Sequence, residues 1–393
     1  MEFNFSKDER LLQVAAKDFA DRELAPKELS VFDQSTRDVL RKMGELGFFG
    51  IKLPEEYGGD PGNWVMLGIL AEEIAKVNAS LAYFLLISHE VGYALASYGT
   101  EEAKKEWLAG LIQGNRIGCI CATETDAGTD AEAISAKADR DGDQYVVSGE
   151  KVPVSFGAEA DVGLSFFKTG EQSVTAMLVP LDFPGVAAST VKHMGLHLSS
   201  PASLIFNEVR VPLKYLIGKE GEGHNVNATA GLLSSTNKII SGLISMGIAQ
   251  TALNHAIRYS KQRFAFGKPL AKFEGLSLKM AEDATMIEAG KWLCYRALFL
   301  KDRNLPHVKE AAMSGWWCPR IAYQVIHNTL LLHGHAGYSD DHPFQQMLRD
   351  VVAFEMISGT EQILKLIIGY QTIGQTAVPD SVSACMGYHR IGG

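Results

Sequence analysis

Cysteine is sparse in this chain and badly spaced for a metal or disulfide framework. The five residues, Cys119, Cys121, Cys294, Cys318 and Cys385, form an odd set without the paired spacing of a zinc ribbon. Such thiols suit a reducing compartment, and a cytoplasmic location is expected. No apolar run of about 18 residues occurs, so no membrane span is expected. Met1 to Arg10 alternates in charge instead of joining a basic stretch to an apolar one, which speaks against a signal peptide. Basic clusters are also missing. With a net charge of -9, nothing supplies the positive stripe that nucleic-acid phosphates require.

Several catalytic signatures are absent as well. There is no strand-Gly-x-Gly-x-x-Gly-helix unit, no phosphate-binding Gly-Lys-Ser/Thr loop and no Gly-x-Ser-x-Gly elbow. Gly218-Lys219-Glu220-Gly221-Glu222-Gly223 has the wrong spacing, and its glutamates repel phosphate, so it reads as a mobile surface turn. His333 and His335 flank Gly334 without a carboxylate or cysteine at ligand spacing, so no metal is expected. Cys119 and Cys121 lie in an apolar stretch without the two-residue spacer of a redox pair, and read as buried thiols.

What is present is material for a large core. The 393 residues are 46% hydrophobic and 21% charged, the profile of a globular enzyme of two or three domains. Up to about residue 117 apolar residues recur at helical spacing, as in Leu12, Ala15, Ala16 and Phe19, and Leu81 to Ala96 is apolar enough for a buried helix. From residue 118 to 222 β-branched residues and alternation take over, in Tyr145-Val146-Val147, Val152-Pro153-Val154, Val174 to Val179 and Leu204 to Val211. Asp141-Gly142, Pro184-Gly185 and Asn207-Glu208 read as turns between these strands. From 223 to 393 helical period returns, with Ile240, Ile244, Ile248, Ala252, Ala256 and Tyr259 along one face and later helices over Leu276 to Lys301, Lys309 to Leu332 and Ser358 to Thr372. The expected class is therefore α+β, in the order helical, small β-sandwich or barrel, helical.

Five separated segments carry a family resemblance. They are Gly47 to Gly59; Ala122-Thr123-Glu124-Thr125-Asp126-Ala127-Gly128-Thr129-Asp130; Ser148-Gly149-Glu150-Lys151-Val152-Pro153-Val154-Ser155; Arg258 to Leu270; and His333 to Tyr338 running on through Arg349-Asp350 to Gln362. In order and spacing they resemble the acyl-CoA dehydrogenases. That resemblance implies a C-terminal four-helix bundle, FAD as cofactor, an acyl thioester carried by CoA or an acyl-carrier protein, an electron-acceptor flavoprotein or O2, and a homotetramer. It implies that Ala122 and Thr123 contact the flavin ring, Gly128 and Thr129 the pyrophosphate, and Ser155 flavin N5. Arg263 and Phe266 are implied to reach the FAD of a neighbouring subunit, and Thr360 and Gln362 to hold FAD. His335 stands where the family has a glycine, Leu331 where it has a glutamine, and Pro153 where it has a flavin-packing tryptophan.

The same resemblance exposes a gap. Where the family's glutamate removes the α-proton, this chain has Ser358, and the alternative helix position falls on Asn237. A serine hydroxyl is far too weakly acidic to replace a carboxylate without its own base. Glu355 and Glu361 are the nearby carboxylates, the first one turn before Ser358 and the second on another side of its turn. Tyr83, Phe84 and His89 are candidates for the acyl pocket, and Lys238 for a pantetheine or phosphate contact. Three readings follow: a dehydrogenase with a displaced base, a flavin-dependent oxygenase or other non-dehydrogenating enzyme on the same fold, or a non-catalytic FAD- or acyl-CoA-binding subunit.

Overall fold

The computed structural model describes residues 4–374 apart from 28, 132 and 172; Cys385 and the end of the expected C-terminal domain lie outside them. Five helices come first, α1 Lys7–Phe19, α2 Gln34–Glu45, α3 Trp64–Ala75, α4 Ala79–Tyr98 and α5 Glu101–Ile112. Their starts are written in the sequence, because Ser6, Asp33, Asn63, Asn78 and Thr100 each accept a hydrogen bond from the backbone N–H three residues on. Helix α4 is long and apolar enough to cross a membrane by composition, yet 89% of that window is buried inside the protein. It is the core helix of the first unit.

Eight strands follow: β1 Gly118–Cys121, β2 Lys137–Asp141, β3 Gln144–Val154, β4 Val162–Gly170, β5 Ser173–Pro180, β6 Val186–Thr190, β7 Ala202–Pro212 and β8 Leu216–Ile217. They form one sheet in the order β6-β7-β3-β2-β4-β5-β8, with β1 pairing parallel to β4. The expected turns hold at Gly142 and Gly185, both at positive φ. Asn207-Glu208 does not turn the chain. It lies within β7, where Glu208 takes a positive φ opposite a register shift between Val147 and Gly149, which makes it a bulge. Nor is the Gly218 to Gly223 turn simply loose, since the Glu220 carboxylate accepts the Tyr145 hydroxyl at 2.6 Å.

Helices then return as α6 Gly223–Ala230, α7 Ser235–Gln262, α8 Glu274–Asp302, α9 Val308–Leu332, α10 Phe344–Phe354 and α11 Glu361–Ile373, with a hairpin of β9 Phe264–Ala265 and β10 Lys268–Pro269 between α7 and α8. Helices α7, α8, α9 and α11 pack as the bundle, and α3 lies across α7 and α8. The last helix starts three residues later than its apolar pattern suggests. Ser358 and Gly359, the latter at positive φ, belong to the connection before it.

One buried ion pair ties the sheet to the segment after β1. The Lys151 ammonium, fully buried in β3, lies 2.8 Å from Glu124. Glu124 also accepts the backbone N–H groups of Ser135 and Ala136 and the Ser135 hydroxyl. Burial alone would raise the Glu124 pKa, but Lys151 and the Ser135 donors outweigh it and hold the carboxyl below its usual range. The stability it contributes is therefore present above the ordinary carboxylate range and is lost as pH falls through the depressed value. Lys151→Met, which strands a buried carboxylate, is expected to destabilise the protein by about 3–5 kcal/mol, and Lys151→Met/Glu124→Gln, which removes that charge but keeps an acceptor for Ser135 and Ala136, to recover part of that. Urea unfolding midpoints measure both; a cost below about 1 kcal/mol for the single variant would show the pair to be dispensable.

Candidate active site

At Cys121 the chain leaves β1, and Glu124, anchored on Lys151, pulls the next residues alongside β3. Val152 N–H donates to the Thr123 carbonyl at 2.9 Å, and the Thr123 hydroxyl donates to the Pro153 carbonyl at 3.1 Å. Ser155 follows directly. The Tyr83 hydroxyl on α4 donates to Ser155 Oγ at 3.3 Å, and its ring packs on Phe156 and edge-on against Phe354, the last residue of α10. Burial pushes the Tyr83 hydroxyl up to about 12, so it remains protonated as a donor. Phe84 contacts Phe156 from the same helix. The fold thus gathers Thr123, Ser155, Tyr83 and Phe84, and the segment after α10 carries Ser358, wholly buried with no protein partner for its hydroxyl.

A narrow cleft opens beside this gathering, with about 40 Å³ of enclosed space, lined by Ala122, Thr123 and Gly128 on one side and by Asn227, Leu232 and Leu233 on the other. One wall of it is open backbone. A Cβ at Gly128 would meet nothing within 4 Å, so the backbone there is open to close approach. Thr129 is exposed beside it. Thr360, at the head of α11, makes no side-chain cap, which leaves that helix's first N–H groups open to an acceptor. Gln362 and His335 are exposed. Arg263 and Phe266 stand on the β9–β10 hairpin, and Phe266 is 96% exposed at positive φ. Its ring meets that of Phe273 edge-on at 6.3 Å.

Other candidates sit differently. His89 is buried with Nε2 2.8 Å from the Ile51 carbonyl and stacks on Tyr93; burial, only partly offset by that bond, takes its pKa down to about 4, so it is neutral and structural. Lys238 turns inward, donating to the carbonyls of Leu233 at 2.5 Å and Ser234 at 3.2 Å, and burial lowers it to about 8. A CoA phosphate would have to draw it away from both carbonyls. Glu361 pairs on the surface with Arg320 and Lys365, and Lys365 holds its pKa low. Glu355 is half-buried, with its pKa raised by burial and restrained by Arg320. His333 Nδ1 donates to the Thr329 carbonyl at 2.8 Å and its ring stacks on Tyr259, whereas His335 faces solvent, so the two do not share a site.

The residue that the sequence pattern passed over is Glu90. It is fully buried on α4, hydrogen-bonded to the Ser234 hydroxyl and to Asn237 Nδ2 at 2.9 Å. Burial raises it to about 7 against the pull of those two donors and of Lys301 and Lys238. A lone acid inside a helix otherwise read as apolar was the signal that could have found it.

Comparison with known proteins agrees with the three-part fold. The family models for the acyl-CoA dehydrogenase N-terminal, middle and C-terminal domains match residues 6–115, 119–209 and 235–373. A short-chain specific acyl-CoA dehydrogenase of Clostridium acetobutylicum is 32% identical over 376 residues, 94% of this chain and 98% of that protein. The chain belongs to the acyl-CoA dehydrogenase family. It is accordingly an FAD-dependent oxidoreductase. Among solved structures, butyryl-CoA dehydrogenase of Megasphaera elsdenii superposes with a TM-score of 0.90 at 29% identity, over 95% of this chain and all of that one. A chain from work on the electron transferring flavoprotein of Acidaminococcus fermentans gives 0.89 at 33% identity, over 94% and 99%.

In this acyl-CoA dehydrogenase relative the Ser358 hydroxyl is buried without a protein partner, so Ser358→Ala is expected to leave the apoprotein as stable or more stable by about 1 kcal/mol. A loss above about 1 kcal/mol in chemical unfolding would mean that the hydroxyl is bonded after all.

Proposed function

We propose that this chain removes hydrogen from adjacent carbons of an acyl-CoA or similar acyl thioester, using a base displaced from the usual position. The observation that carries the reading is the shared cleft: Ala122, Thr123 and Gly128 face Leu232 and Leu233, at the head of α7, across one opening. FAD, when bound, supplies a two-electron acceptor for hydride. In this reading Ala122, Thr123 and Ser155 hold the flavin ring, and Gly128 and Thr129 the pyrophosphate. Arg263 and Phe266 complete the site of a second subunit, while His335, Thr360 and Gln362 complete the cofactor's surroundings. Tyr83 and Phe84 wall the acyl end. The three working units are 1–117, 118–222 and 223–393.

A homotetramer is the assembly that fits, since Phe264 and Phe266 on the hairpin and Tyr338 at the end of a 3-10 turn are exposed large apolar side chains. An electron-transfer flavoprotein is the acceptor that suits the likeness to the Acidaminococcus fermentans work. Pro153 is exposed and offers no aromatic cover, and this favours an O2-using enzyme as the second reading. Anaerobic addition of short saturated acyl-CoAs to the oxidised protein separates the two: bleaching of the flavin supports dehydrogenation, and bleaching only by an external reductant followed by rapid oxygen uptake supports the second. For cofactor retention, Arg263→Ala is expected to weaken FAD binding about 10- to 100-fold by removing a charge-assisted hydrogen bond. Unchanged FAD dissociation would remove Arg263 from the site.

A further inference from the structure

Glu90 sits at the meeting of α4, α7 and α8. It lies two helical turns beyond Tyr83 on the same face of α4, so the face that touches Ser155 at one end presents a carboxyl about 10 Å further along. Ser234, which it holds by the hydroxyl, directly follows Leu233 of the cleft wall. Asn237, which it holds by the amide nitrogen, has an Oδ1 that is buried without a partner. The charged groups around it are Lys238 from α7 and Lys301 from α8, the first bonded to the carbonyls of Leu233 and Ser234, the second 3.2 Å from the Ser235 hydroxyl and lying over the Trp64 ring. His307 reaches the same Ser235 hydroxyl at 2.9 Å, and Asp302 neighbours Lys301. Neither lysine forms a direct ion pair with Glu90, so the carboxylate is steadied by a hydroxyl and an amide and remains free to take up a proton.

We propose that Glu90 is the proton acceptor of this active site, presented from α4 beside Ser234 and Asn237 in place of the carboxylate missing at residues 358 and 237. This rests on the dehydrogenase reading above. The α C–H bond breaks and its proton forms an O–H bond on Glu90. The electron pair left behind becomes the new carbon–carbon double bond as the β-hydrogen departs with its own pair to the oxidised flavin. The products are the enoyl thioester, neutral Glu90 and reduced flavin. Two donors favour the charged acid while burial opposes it, leaving a base poised near neutrality at about 7.

The test uses FAD-loaded protein and a short saturated acyl-CoA in anaerobic stopped flow, with pH varied through about 7. Wild-type flavin reduction is expected to rise with pH as Glu90 ionises. Glu90→Gln is expected to lose about 10²- to 10⁴-fold in that step while keeping its FAD, and adding Ser358→Glu to it is expected to restore reduction. Ser234→Ala and Asn237→Ala, which keep the acid but remove a donor to its anion, should move the pH midpoint upward. Apart from activity, infrared difference spectra of the apoprotein should show a buried carboxyl titrating near 7 in wild type that is lost in Glu90→Gln. Wild-type reduction that survives Glu90→Gln, or a midpoint unmoved in both donor variants, overturns the assignment. If no acyl-CoA reduces wild-type flavin although dithionite does, it is the dehydrogenase reading that fails, and the infrared titration still reports on Glu90.

Discussion

An ammonium group in the middle of a β-sheet has to be neutralised where it lies, and much of this molecule follows from that requirement at Lys151. Its partner Glu124 comes from the segment leaving β1, and Glu124 in turn gathers the backbone of Ser135 and Ala136 at the approach to β2. Leaving a buried charge unpaired costs several kcal/mol, so the intervening loop has one low-energy position. That position lays Thr123 against Pro153 and brings the end of β3, with Ser155, within reach of Tyr83. A stability device thereby fixes one wall of the cleft.

Helix α4 imposes the second constraint. Because it is apolar around nearly its whole circumference, it is covered by α3, α5, α7 and β1. A polar side chain on such a helix must find its partners in the neighbours. His89 finds the Ile51 carbonyl and becomes inert. Glu90 finds the head of α7, in surroundings where burial also brings Lys238 and Lys301 down to about 8. Burial thus moves the acid up and the two amines down, so that all three are drawn towards neutral pH.

Much of the fold was legible before any coordinates. Apolar spacing located α4 and the long helices, because burial on one face imposes the helical period. Alternation located β3, β5 and β7 for the corresponding reason. Asn207-Glu208 was misread, since two polar residues inside a strand carry the same local signature whether the chain turns or bulges; only the register against β3 distinguishes them. The start of α11 was drawn three residues early because Ser358, Gly359 and Thr360 carry no proline to mark the break, which the positive φ of Gly359 makes.

The sequence by itself determined the order of the three units and the absence of a carboxylate at Ser358 and Asn237, since these depend on residue identity and local spacing. The tertiary structure alone decided which polar groups are spent and which are available. Lys238 is turned inward to carbonyls, Glu361 is held in a surface ion pair, and Glu90 is brought from a helix nearly 150 residues away to the side chain of Asn237. Hydrogen-bond partnership and desolvation act through space, so no pattern along the chain records them.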